Sequence, residues 1–389
     1  TMSIRLLQGD CREVLATLDA GSIDACVTDP PYHLGSMVKR LSRTNAADVA
    51  KNFSKTVEGQ ARSPYAALAV GFMGKTWDGG DVAMRAETWA EVARVLKPGA
   101  HLAAFGGTRT FHRVAVAIED AGFEIRDTLC WLYGSGFPKS HNQPGGWGTA
   151  LKPAWEPIIL ARKPLDGTVA ANMAAHGTGA LNIDATRVSA DWANDPNKRG
   201  LGYGFTKQGY DKKAAFANSE ERTGYDTTKG RWPANVAHDG SDEVLDAFAR
   251  FGEKASGSGA VKRASSADRS GNRGAAYGAE SRPAGTAMIS HADTGSAARF
   301  FYEAKASREE RGEGNNHPTV KPLALMRWLC RLVTPPGGTV LDPFLGSGST
   351  ALAADQEGFH CIGIEQSAEY LEIARRRLAT EAPLFTEVA

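Results

Sequence analysis

Asp29-Pro30-Pro31-Tyr32 directly follows the apolar run at residues 23–28. The two prolines fix the backbone and remove two N–H donors, so the Asp29 carboxylate and the neighbouring carbonyls form a cluster of acceptors. Such a cluster suits an amino group, and the phenol of Tyr32 offers a flat surface on which a planar base can stack. The same residues could instead do no more than end the strand, with Asp29 capping a turn. A second group stands far along the chain, Leu341-Asp342-Pro343-Phe344-Leu345-Gly346-Ser347-Gly348-Ser349-Thr350. It joins an apolar run to an amphipathic one, at the kind of turn where backbone amides approach a ligand closely. Glycine there could equally answer to the dihedral angles of the turn alone. The G-K-[ST] of a phosphate loop is missing, and Ala351 stands about where a dinucleotide fingerprint has its third glycine. Further on, Gly363-Ile364-Glu365 puts an acid at the end of the next expected strand, where a carboxylate can accept hydrogen bonds from both hydroxyls of a ribose. Together these fit a nucleoside-bearing ligand without a pyrophosphate.

A scaffold must hold these groups, and the hydrophobic pattern supplies it. Short apolar runs at residues 4–8, 23–28, 101–105, 124–131 and 157–161 alternate with amphipathic stretches at 11–18, 87–96 and 109–121. This is the βαβ rhythm of a buried parallel sheet. The rhythm returns after His317 with a helix at 322–333, a Pro335-Pro336-Gly337-Gly338 turn, a strand at 339–341, a helix at 349–358, a strand at 360–364 and a helix at 369–378. Between them the character changes. Residues 187–232 contain only Val188 and Leu201 as Ile, Leu or Val, and residues 252–287 only Val261. Such stretches cannot build a core alone. They read either as a surface insertion or as a loop-rich module that orders on a ligand such as DNA. The expected architecture is α/β, with one sheet assembled from residues 2–164 and 317–389 around an insert at 165–316.

With 389 residues, 42% of them apolar and 23% charged, the chain can bury more than one core, which excludes a short or wholly disordered peptide. Lys and Arg total 45 against 44 acidic residues, a formal charge of +1, so any nucleic-acid surface must be local. Cys11, Cys26, Cys130, Cys330 and Cys361 form no C-x-x-C pair, and no His cluster has zinc spacing, so reduced, buried thiols and no metal are expected. No apolar run approaches the roughly 20 residues of a membrane span. A cytoplasmic protein without a secretory signal is expected, with Thr1 ahead of Met2 a remnant of cloning.

Asp29–Tyr32 and Phe344–Gly348 resemble the D-P-P-Y and F-x-G-x-G motifs of the S-adenosylmethionine-dependent amino-group DNA methyltransferases. With D-P-P-Y first and the glycine motif last, the order is similar to that of their circularly permuted β group. The resemblance extends to His317-Pro318-Thr319-Val320-Lys321-Pro322, to Trp155-Glu156-Pro157 and the residues up to Lys163, and to Arg299-Phe300-Phe301-Tyr302, segments similar to those of phage and prophage members. It covers nearly the whole chain, most firmly residues 3–163 and 317–380.

The resemblance implies a Rossmann-like, mostly parallel, circularly permuted sheet with a loop-rich inserted target-recognition region. It also implies methyl transfer from S-adenosyl-L-methionine to the N6 amine of adenine in duplex DNA, with the adenine flipped out and no metal needed. Asp29 and Pro30 would accept the amine hydrogens, Pro31 would stiffen the loop, and Tyr32 would stack on the base. Phe344, Gly346 and Gly348 would shape the cofactor pocket, with Asp342 near its ammonium group and Glu365 on its ribose. Thr319 and Lys321 would close over its carboxylate. With the strand at 4–8 expected beside the Glu365 strand, Asp10 would lie near the cofactor adenine, unless it only caps the helix at 11–18. Residues 33–75 carry Lys39, Arg40, Arg43, Lys51, Lys55, Arg62 and Lys75 against Asp48 and Glu58, which suits phosphate contact or merely a solvated loop. N4-cytosine methylation is the nearest alternative, although Asp rather than Ser at position 29 favours adenine. RNA or a glutamine amide as substrate, a non-catalytic nucleic-acid binding module and an NAD-dependent oxidoreductase are further alternatives. A homodimer is possible by analogy, and the sparse aliphatic content of the insert suggests relaxed sequence specificity.

Overall fold

Strands form where consecutive residues are apolar on both faces, because each face then meets its own layer of helices. The computed structural model describes residues 2–32, 81–136, 143–188, 230–255, 294–304, 315, 317, 320–381 and 386–388. In chain order it opens with strand β1 (Met2–Gln8), helix α1 (Cys11–Ala16), β2 (Ile23–Thr28), α2 (Ala86–Val95) and β3 (Leu96–Phe105). Next come α3 (Phe111–Asp120), β4 (Glu124–Leu132), β5 (Trp155–Arg162), α4 (Val169–His176), β6 (Val236–His238) and α5 (Asp242–Ala249). Then follow β7 (Lys254–Ala255), β8 (Thr294–Gly295), β9 (Tyr302–Glu303), α6 (Leu323–Val333) and β10 (Thr339–Asp342). The chain continues with α7 (Ser349–Gln356), β11 (His360–Glu365), α8 (Ala368–Glu381) and β12 (Thr386–Val388).

Two compact units divide the chain. The first, residues 1–186, 234–244 and 302–389, holds a ten-stranded sheet in the order β12-β1-β11-β10-β2-β3-β5-β4-β6-β9. Every neighbouring pair in it is parallel except those made by β5, which runs antiparallel to both β3 and β4. The sheet is therefore α/β and mostly parallel, as expected. β1 does lie beside β11, with Gln8 opposite Glu365. β6 and β9 come from within residues 165–316 and extend this same sheet, a contribution the alternation of apolar runs does not disclose.

Side chains alternate between two cores. Ala25, Val27, Ala103, Phe105, Ile158, Leu160 and Val340 face the layer of α6, α7 and α8, where Trp328, Leu352 and Leu371 are buried. Cys26, Leu102, Ala104, Ile159, Leu341 and Ile364 face α1, α2 and α3, with Leu15, Trp89 and Ile118. Residues between Leu96 and His101 bulge out of β3, since Ile23 pairs with Leu96 while Ala25 pairs with His101. Four of the five cysteines are buried; Cys130 is only partly so, which corrects the expectation for that thiol.

The second unit comprises residues 187–233 and 245–301. Its described parts include a short β7–β8 antiparallel ladder, a bridge between Val188 and Arg231, and a cationic cluster in which Arg299 and Arg231 lie 4.3 and 5.2 Å from the centre of the Phe300 ring.

Candidate active site

In a parallel sheet the carboxyl ends of the strands open onto one edge, where loops replace the ladder and polar side chains can gather. β2 ends at Thr28, β10 at Asp342 and β11 at Glu365. Because β5 runs the other way, its beginning reaches that same edge: Phe105, the last residue of β3, pairs with Ile158, two residues after Glu156.

Asp29, Tyr32, Glu156 and Lys321 form one cluster there. The Lys321 ammonium lies 2.9 Å from one Asp29 oxygen and 3.0 Å from Glu156. The Tyr32 hydroxyl donates to the other Asp29 oxygen at 2.7 Å and to Glu156 at 3.3 Å, while Lys321 donates to the Tyr32 oxygen at 3.0 Å. Lys321 also sits 4.8 Å from the Phe105 ring centre and 5.3 Å from that of Tyr32, an added attraction for a cation. Burial works against its charge, but the carboxylates of Asp29 and Glu156 outweigh it and hold the ammonium above the usual lysine range. Tyr32 is kept firmly protonated by burial and then by the same two carboxylates.

Asp342 is a second node. It is almost wholly buried and accepts hydrogen bonds from the Thr28 hydroxyl at 2.6 Å, the Thr350 hydroxyl at 2.5 Å and the Phe344 amide at 3.0 Å. Burial raises its carboxyl to about 6 against the pull of these donors.

The glycine turn hangs between Asp342 and α7. The Gly346 amide donates to Glu365 at 2.8 Å, and the other Glu365 oxygen accepts from the Ser367 amide at 2.8 Å. Burial raises the Glu365 carboxyl, and these two amides oppose the shift. Gly346 and Gly348 have φ of 55° and 86°, and a Cβ on them would come within 2.9 Å of His317 Nε2 and 2.8 Å of the Ala374 Cβ. Packing alone thus demands glycine at both. Arg377 braces the turn from α8, donating to the Ser347 carbonyl at 2.8 Å.

Asp29, Pro30, Pro31, Tyr32, Asp342, Phe344, Gly346, Gly348 and Glu365 all lie at or beside the carboxyl edge. Lys321, which the resemblance put at the cofactor's carboxylate, lies against Asp29 and Glu156. Asp342, put at the cofactor's ammonium, accepts from Thr28 and Phe344 at one oxygen and from Thr350 at the other. Asp10 caps α1 through the Arg12 amide and pairs with the Arg12 guanidinium, whose hydrogen bonds lower its carboxyl. Thr319 and the basic stretch at 33–75 fall outside the described residues. Among the described residues no group of His, Cys, Asp and Glu could hold a metal ion, and no helix is long and apolar enough to cross a membrane.

Compared with known proteins, the chain matches a family model described as DNA methylase, the N6/N4 methyltransferase family, over residues 23–376. The chain belongs to this DNA methylase family. The type II methyltransferase M2.DpnII of Streptococcus pneumoniae is 46% identical over 65 residues, 17% of this chain and 24% of that protein. M.ScaI, a type II methyltransferase of Streptomyces caespitosus, is 43% identical over 79 residues, 20% of this chain and 25% of that one. The match thus spans at most 25% of the length of these relatives. Of solved structures, the cytosine-N4-specific PvuII DNA methyltransferase is 14% identical with a TM-score of 0.44, covering 97% of this chain and 86% of its own. The M1.HpyAVI complex with SAM is 17% identical with a TM-score of 0.41, covering 96% and 98%.

For this member of the DNA methylase family, sequence reasoning assigned no role to Glu156, Thr28 or Thr350. Glu156 carries a local signal only in hindsight: it is a carboxylate followed by a proline at the mouth of an apolar strand. Thr28 and Thr350 carry none, since their partner Asp342 lies 314 residues away from the first and reaches the second only through the fold of the turn.

Proposed function

We propose that this chain transfers a methyl group from S-adenosyl-L-methionine to the N6 amine of adenine in DNA. The observation that carries the reading is the 2.6 Å hydrogen bond from Thr28 to Asp342. It ties the strand end before Asp29 to the strand end before the glycine turn, which supports a single reaction centre shared by the two motifs.

The residues present fit that cofactor. Each Glu365 oxygen accepts one backbone amide and keeps capacity for a ribose hydroxyl, and the turn Phe344–Gly348 lies beside it. When bound, S-adenosylmethionine supplies an electrophilic methyl group on a positively charged sulfur. Asp29, helped by the Pro30 carbonyl, accepts the amine hydrogens and favours a pyramidal nitrogen whose lone pair is free to react. Asp29 also stands next to the proton the amine must shed once its nitrogen has bonded to carbon and the C–S electron pair has gone to sulfur. Tyr32 offers its ring to the base. A duplex hides this amine, so the adenine must leave the stack, and residues 165–316 are proposed as the region that reads the target. Asp29 in the first motif supports adenine over cytosine, while β1 beside β11 and the motif order support a β-group arrangement.

Incubation of the protein with labelled S-adenosylmethionine and unmethylated duplex DNA, followed by nucleoside analysis, tests the reading. Label is expected in N6-methyldeoxyadenosine. Label in N4-methyldeoxycytidine would replace adenine by cytosine, and unlabelled DNA would refute the proposal.

A further inference from the structure

We infer that Glu156 sets the charge of the Asp29 site, acting through Lys321, and is a positioning residue for methyl transfer; this rests on the reading that Asp29 receives the substrate amine. The contacts close a ring. Lys321 bridges Asp29 and Glu156, and Tyr32 bridges the same two carboxylates through the other Asp29 oxygen. Both oxygens of Asp29 are therefore aimed by groups that Glu156 also holds.

The charges add up in a way that Asp29 paired with Lys321 alone could not provide. Asp29 and Glu156 contribute two negative charges, Lys321 one positive charge and the protonated Tyr32 none, so the ion-paired set carries one net negative charge. Without Glu156 the set is neutral. An amine nitrogen that bonds to a methyl carbon gains positive charge in the transition state, and fixed negative charge beside it in a mostly buried site stabilises that change. Lys321 is 7% exposed, against 20% for Asp29 and 21% for Glu156, so the lysine is the most deeply buried of the three. A lysine serving only to orient Asp29 would cancel its charge; the second carboxylate restores it.

Glu156→Gln separates charge from shape, because the amide oxygen can still accept from Lys321 and Tyr32. Single-turnover transfer of labelled methyl to DNA is compared among wild type, E156Q, E156D and the double variant E156Q/K321M, with cofactor affinity by calorimetry and unfolding midpoints alongside. E156Q is expected to slow transfer roughly 10- to 100-fold while cofactor affinity and midpoint hold. E156D, which keeps the charge, recovers part of the rate. So does the double variant, which returns the set to one net negative charge. Transfer by E156Q at the wild-type rate, a fall in rate no larger than the fall in folded fraction, or a double variant slower than E156Q would overturn the inference. A wild-type protein unable to methylate DNA would instead strike at the reading of Asp29 itself.

Discussion

The Thr28 hydroxyl donates to Asp342 at 2.6 Å, joining residues 314 positions apart on the adjacent parallel strands β2 and β10. Asp342 in turn fixes Thr350, the second residue of helix α7, and the Phe344 amide. One buried carboxylate thus sets the spacing between the acceptor cluster and the glycine turn.

Replacing Thr28 with Val keeps the shape and removes the donor. Asp342 is then left with two donors in a buried site, and the cost is about 1–3 kcal/mol. Urea unfolding is expected to show that loss, with weaker cofactor binding by calorimetry; unchanged stability would show that Asp342 does not need Thr28.

Asp342 also makes stability depend on pH. Its carboxyl stands near 6 in the fold against 3.8 for the ordinary group, so the folded state holds this proton more tightly. Its contribution is full below the unfolded value and is lost as pH rises through about 6. Relative to Asp342→Asn, the wild type is expected to lose up to about 3 kcal/mol between acid and neutral pH. Unfolding free energies of both proteins at pH 4 and 7.5 give the sign, and a difference that grows in the opposite direction contradicts the assignment.

Gly348→Ala places a side chain at φ 86° and a Cβ within 2.8 Å of the Ala374 Cβ. The strain is worth about 1–3 kcal/mol before any repacking. A lower unfolding midpoint is expected together with weaker cofactor binding, and a variant as stable as wild type would mean that the turn has room the geometry does not show.

The fold was readable where burial is two-sided. Ile23–Thr28 and His360–Glu365 are buried over almost their whole length and announce themselves as strands. Direction is another matter: a period of two looks the same from either end, so nothing in the apolar run of β5 says that it lies antiparallel. Val236–His238 and Tyr302–Glu303 are too short to carry a period at all. At the site, Asp29 and Glu365 stood out because each ends an apolar run, whereas Lys321 gained its place from Asp29 and Glu156, partners distant in sequence. Ion pairs of that kind leave no local pattern.

The most direct measurement is methyl transfer by Asp29→Ala in a single turnover, with cofactor affinity measured on the same sample. Transfer to DNA should fall at least roughly 10²- to 10³-fold while cofactor affinity stays within a few-fold of wild type. Transfer close to the wild-type rate would contradict the assignment of the substrate amine to Asp29.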